Sequence, residues 1–250
     1  MRFGRVRTFI VAAALAATAA YAADEMAGMG DAGMGDMLPH PFLSHMGIPD
    51  QPGSVSIRAA VYRQGRRGED SWTDGAFHLE AGLLPRLGVH LRSDAVMQDP
   101  RLDVMAMFAV WRDAANANGV SAFAAGEVAA GTVPAGERDV ESAFGVSGRK
   151  SFGAAVTADA DFHYMPTMKM FEYEAAAVAS VHDYFYPAAE FSGEYMLSQE
   201  GMPATNSSYA LAGLKFRLKG AIYVGVGYQF GVTADREFDN RALLQLDTDW

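Results

Sequence analysis

From Val55 to the C-terminus the chain alternates apolar and polar residues with a period of two, the mark of strands that present different faces to different surroundings. The alternation is cleanest over the last 44 residues. Ala210, Ala212, Leu214, Phe216 and Leu218 share one parity, with Tyr209, Gly213, Lys215 and Arg217 on the other. After Lys219-Gly220, Ile222, Val224, Val226, Tyr228 and Phe230 alternate with Tyr223, Gly225, Gly227 and Gln229. The chain closes with Ala242, Leu244, Leu246, Thr248 and Trp250 against Gln245, Asp247 and Asp249. Earlier segments repeat the pattern: Ile57 and Val61 around Arg58, Leu79 and Ala81 around Glu80, Phe162 between Asp161 and His163, and Tyr173 between Glu172 and Glu174. The segments 120–128 and 142–150 are faint, being rich in Ala and Gly, and only Glu127 and Ser147 suggest which side faces in.

Counted this way there are twelve strands, and connections after odd-numbered strands run longer than most of those after even ones. Strands of about ten residues, an even count and this loop asymmetry predict an all-β fold: a closed antiparallel transmembrane β-barrel of about 12 strands. The long 112–119 turn leaves ten or fourteen strands as alternatives. A soluble sandwich or lipocalin-like barrel would alternate too, with its apolar parity turned into a core.

Composition sharpens this. Half of the 250 residues are hydrophobic, yet past residue 22 no run approaches the roughly 20 apolar residues a spanning helix needs. Residues 1–22 read as a signal peptide: Arg2, Arg5 and Arg7, an apolar stretch, then Ala20-Tyr21-Ala22. The chain has no Cys, so disulfides do not staple it in an exported setting. Residues 23–53 have no hydrophobic period. A repeated Ala-Gly-Met-Gly-Asp and the prolines at 39, 41, 49 and 52 predict a mobile, extended Met/Gly/His-rich periplasmic tail, which could serve as a plug. The barrel then occupies 54–250. The expected setting is the outer membrane of a Gram-negative bacterium, reached by export with a cleaved signal peptide. Expected partners are the lipid bilayer, a small-molecule or cation solute, and the barrel-assembly machinery through the C-terminal strand, with no nucleic acid.

Parity assigns a lumen lined by Arg58, His78, Glu80, His90, Arg92, Glu127, Asp159, Asp161, His163, Glu172, Glu174, Glu190, Glu194, Lys215 and Arg217. Acids outnumber bases in this set, so a water-filled pore would favour cations. The alternative is that acids and bases pair across a narrow barrel and block it. Asp159, Asp161 and His163 beside Glu172 and Glu174 could activate water, but their spacing of two is what lumen alternation alone demands, so no catalytic residue and no enzyme is expected. Methionine avoids the apolar parity and gathers near His. Met26, Met29, Met34, Met37, His40, His45 and Met46 in the tail, with Met105 and Met107 on the lumen parity, form a candidate copper set, because thioethers select Cu(I) and imidazole can join them. No other cofactor is expected.

The stretches Leu211 to Leu218, Val224 to Phe230 and Leu244 to Asp247 resemble the outer-membrane transporters grouped with the phenol-degradation meta-pathway. The resemblance implies a β-barrel with a transport role and no catalytic residues to carry over. The Met and His tail resembles the design of outer-membrane copper-resistance barrels without matching their motifs. Three functions follow as expectations: a small-solute channel, a metal-handling barrel, and a non-conducting structural barrel.

Overall fold

A computed structural model describes residues 38–97, 101–113, 117–129, 140–199 and 201–250. The expected signal peptide and the tail up to residue 37 lie outside the described residues. Twelve strands run in chain order: β1 (Val55–Gly65), β2 (Trp72–Leu84), β3 (Leu87–Ser93), β4 (Arg101–Arg112), β5 (Gly119–Ala129), β6 (Val140–Phe152), β7 (Val156–Met165), β8 (Met170–Ala179), β9 (Phe185–Met196), β10 (Thr205–Lys219), β11 (Ile222–Gly231) and β12 (Asn240–Asp249). Each pairs antiparallel with its sequence neighbours, and β1 pairs with β12, so the sheet closes on itself with no free edge. Closure is in register at its centre, Arg58 opposite Asp247 on one side and His78 on the other.

Burial resolves the membrane and soluble alternatives. Phe108, Val110, Phe144, Val146, Phe162, Val226, Tyr228 and Leu244 are exposed on the outer wall, while Arg58, Glu80, Lys215 and Asp247 are at most 2% exposed inside. A soluble barrel has the opposite distribution. An apolar exterior around a charged interior satisfies its surroundings only when hydrocarbon lies outside. No helix among the described residues is long and apolar enough to cross a membrane.

The ends and the short turns share one rim. Gly220 supplies a positive φ of 54° in the 219–222 turn, which a side chain would strain. Register shifts at Gly82/Leu84, Ala109/Trp111 and Arg217/Lys219 sit at this same rim, where bulges relieve the bend of a closing sheet. The longer connections lie at the opposite rim. By the usual asymmetry the short-turn rim is periplasmic and the long-loop rim extracellular.

The described part of the expected tail is not mobile outside the barrel. Residues 39–49 are buried, and they run through the lumen. Leu38, Pro39 and His40 stand near the periplasmic rim beside Tyr223 and Trp250, the chain rises to Phe42–His45, and Asp50 and Gln51 are back at that rim before β1 begins. The segment is a re-entrant loop with its apex near mid-height. Lack of periodicity concealed it, because no regular face is needed where a loop is wrapped on all sides.

Candidate functional site: the lumen and its re-entrant loop

Short side chains on the wall make room for the loop. A Cβ on Gly213 or Gly225 would come within 2.5 and 2.6 Å of the Phe42 ring, one on Gly119 within 2.7 Å of Ile48, and one on Gly88 within 3.0 Å of Pro49. The glycines of β10 and β11, which share the lumen parity of Lys215, are therefore a seat for an aromatic ring. Phe42 is 1% exposed and packs in one cluster with Leu43, Ala60, Tyr186, Leu211, Tyr223 and Leu243. Burial of such a ring contributes on the order of 2–3 kcal/mol.

The backbone of the loop cannot form a ladder, so the wall's charges satisfy it. Glu190 on β9 accepts from the amides of Phe42, Leu43 (3.0 Å) and Ser44 (3.1 Å) and from the Ser44 hydroxyl (3.2 Å). On the other side of the loop, Arg58 Nη1 donates to the carbonyls of Pro41 (3.2 Å) and Ser44 (2.8 Å), while its Nη2 pairs with Glu80. Lys215 Nζ donates to Pro41 O (3.1 Å) and Asp247 (2.8 Å), and Gln245 donates to Phe42 O (2.6 Å). Lower down, Gly47 N donates to Asp159 (2.7 Å), which Arg149 also engages (2.8 Å), and Ser147 donates to Gly47 O (3.0 Å). A buried backbone group left unpaired costs about 1–3 kcal/mol, so these charges hold the loop where it is.

Above the apex the lumen opens into two cavities of about 230 Å³ each. One is lined by Leu43, Arg92, Asp94, Glu172, Glu174, Glu194, Glu237 and Arg241, the other by His45, Arg92, Asp94, Asp103, Glu127, Glu141, His163 and Glu172. Arg92 pairs with Asp94 (2.5 Å) and Glu174 (3.1 Å) and reaches His45 Nε2 (2.8 Å). Glu127 pairs with Arg101 (2.7 Å), and His163 bridges Asp161 (3.3 Å) and Glu172 (2.9 Å). His78 meets Asp94 at 2.9 Å. Outside the spanning strands, Asp239 in the last long loop accepts from Arg67 N and Arg236, which hold its carboxyl below the usual carboxylate range.

All fifteen lumen-parity residues lie on the inner side of the paired register. Fourteen of them fall into three sets. Arg58, Glu80, Asp159, Glu190 and Lys215 hold the loop or pair beside it; His78, Arg92, Glu127, Asp161, His163, Glu172, Glu174 and Glu194 sit around its apex or above; His90 faces the apex from β3. Arg217 is apart from these, near the periplasmic rim, with its guanidinium 5.4 Å from the rings of Tyr186 and Tyr223. Of the candidate copper set, Met26, Met29, Met34 and Met37 lie outside the described residues. His40, His45 and Met46 are buried in the loop, and Met105 and Met107 are buried in the wall against Phe123 rather than beside Met46 in one cluster. The carboxylate and His group of β7 and β8 is taken up by ion pairs and loop contacts.

Parity reasoning missed Glu141, Arg149 and Arg241, all buried or half-buried inside. Arg149 shares the parity of Ser147, and Arg241 that of Gln245, so the signal was present. Phe123, buried at 6% and seated over Gly145, was hidden because an inward aromatic breaks the polar-inside rule.

This architecture defines the class: a closed twelve-stranded antiparallel barrel with an apolar outer wall, the form of a membrane-spanning β-barrel. Solved structures agree. The NanC porin superposes with a TM-score of 0.54 at 10% identity, over 77% of this chain and 97% of its own. The KdgM porin gives 0.56 at 8%, over 78% and 98%. An outer-membrane channel from Pseudomonas putida F1 gives 0.56 at 11%, over 89% and 100%. No protein-family model matches the sequence, and no curated protein matches it either. At such identities the likeness is one of fold.

Proposed function

We propose that this protein is an outer-membrane channel for a small solute, with a cation-favouring extracellular vestibule and a lumen closed at its periplasmic half by residues 38–53. The observation that carries the reading is the seating of the loop: Glu190, Arg58 and Lys215 hydrogen-bond its backbone from three strands of the wall, β9, β1 and β10. The vestibule carboxylates Glu172, Glu174 and Glu194, with Asp103 and Glu127, support cation preference through the field of a low-dielectric wall. The resemblance of the last strands to phenol-degradation meta-pathway transporters fits the same role and implies no catalytic step.

Planar-bilayer conductance tests it. The full chain is expected to conduct weakly and a chain lacking 38–53 to give large, stepwise, cation-selective currents. A folded deletion variant that passes no current contradicts the channel reading and favours a non-conducting structural barrel.

A second reading rests on the buried methionines. Met105 and Met107 on one side, and Met165 and Met170 on another, line the lumen wall, where copper passing as Cu(I) would meet thioethers. Calorimetry of the full chain with Cu(I) tests it; unchanged affinity after Met105→Leu and Met107→Leu removes it.

A further inference from the structure

Three buried donor groups from three separate elements converge at the loop apex. His45 comes from the loop, Glu80 from β2 and His90 from β3, and one ligand atom of each lies within 4.8 Å of the others. All three residues are at most 7% exposed. Each also has a buried polar atom that makes no hydrogen bond: His45 Nδ1, Glu80 Oε2 and His90 Nδ1. Orphaned buried polar atoms cost free energy, and an ion shared by these three residues would relieve it.

We propose that His45, Glu80 and His90 form a binding site for a divalent first-row transition ion, of the Zn(II) or Cu(II) kind, that ties the re-entrant loop to the barrel wall. The inference rests on the reading of residues 38–53 as a plug. Two imidazoles and one carboxylate select such ions over Ca(II) and Mg(II), which want oxygen ligands, and the absence of a thioether from the three donors sets the site apart from a Cu(I) set. Tetrahedral ligands at about 2.0–2.1 Å from the ion stand about 3.4 Å apart, so small side-chain rotations close the site.

The neighbours permit this. Arg58 engages Glu80 through Oε1, which also lies 3.9 Å from His90 Nδ1, while Oε2 accepts no hydrogen bond and stands 3.7 Å from His40 Nδ1. Arg92 donates to His45 Nε2, and metallation replaces that bond, since a metal on Nε2 takes the lone pair and a metal on Nδ1 leaves the proton on Nε2; Arg92 then turns to its other partners, Asp94 and Glu174. The ion adds positive charge beside two arginines, and Glu80 is the carboxylate that offsets it. Because the ligands come from loop and wall together, withdrawal of the loop dismantles the site, and the bound ion stabilises the closed state by linkage.

The test uses the full chain folded in detergent and stripped with a chelator, then titrated with Zn(II) and with Cu(II). One equivalent is expected to bind, with nitrogen hyperfine splitting from two imidazoles in the Cu(II) electron paramagnetic resonance spectrum. His45→Ala, His90→Ala and Glu80→Gln should each weaken binding by more than about tenfold, and His182→Ala, on the exposed 180–184 turn, should not. Heat-dependent electrophoretic mobility verifies that each variant is a folded barrel. Affinity unchanged in folded His45→Ala and His90→Ala overturns the site, as does a Cu(II) spectrum without two nitrogens. Conductance of the 38–53 deletion separates the two claims: if it rises while no variant alters metal affinity, the plug stands and the metal site fails.

Discussion

The two halves of the lumen are built from the same twelve strands, and only one of them seats the re-entrant loop. In the periplasmic half the wall carries Gly88, Gly119, Gly213 and Gly225, and the space they leave seats Pro49, Ile48 and Phe42, with a cavity of about 400 Å³ beside the loop at the rim, lined by His40, Asp50, Tyr223, Asp249 and Trp250. In the extracellular half the wall carries Arg92, Asp103, Glu127, Glu172 and Glu194, and cavities remain between them. Side-chain size at inward positions, not strand number, decides where the loop can seat. Charges near the boundary serve the loop as well, since Glu190, Arg58 and Lys215 satisfy a backbone that has no ladder of its own.

Ways to break this contrast rank by how much each removes. Phe42→Ala should destabilise the seated loop most, by about 3–5 kcal/mol, because the glycine-lined seat cannot collapse onto the void; limited proteolysis within 38–53 and a rise in conductance would register it, and unchanged values would count against the seat. Glu190→Gln keeps the shape and removes the charge, weakening its bonds to three amides. The expected loss is about 1.5–3 kcal/mol, read as a smaller rise in conductance. Glu194→Gln acts only above the loop. It should lower cation preference in reversal-potential measurements while leaving conductance steps and protease resistance of the loop as they were.

The smallest effect belongs to Asp239 in the last extracellular loop. Its bonds from Arg67 N and Arg236 depress its carboxyl, so the stabilisation is present above the ordinary carboxylate range and is lost as pH falls through the lowered value. Asp239→Asn should therefore loosen that loop to protease at neutral pH and make little difference in strong acid. A variant effect confined to acid would contradict the assignment.

The wall was legible in the sequence because a barrel repeats one rule: inward and outward neighbours alternate, so Arg58, Glu80, Asp161 and Lys215 announce their side by their own polarity. Where the rule carries little contrast, as in the Ala- and Gly-rich β5 and β6, Phe123 and Arg149 went unassigned. The loop was illegible for a different reason. Apart from Arg58, its side-chain partners on the wall are distant in sequence, as Glu190 is from Ser44 and Asp159 from Gly47, and a segment enclosed on all sides needs no periodic face. The strand glycines were the available trace of it, since inward glycines in otherwise well-formed strands mark close approach of another chain segment.

The placement of the loop in the lumen can be tested on a chain that has no cysteine of its own. Ile48 and Gly119 face each other closely enough for a disulfide between Ile48→Cys and Gly119→Cys. Mild oxidation of the folded full-length variant should join these two residues within one chain and keep single-channel conductance at the low level of the unmodified protein. Two free thiols in a folded barrel after oxidation would place residues 38–53 elsewhere and contradict the account.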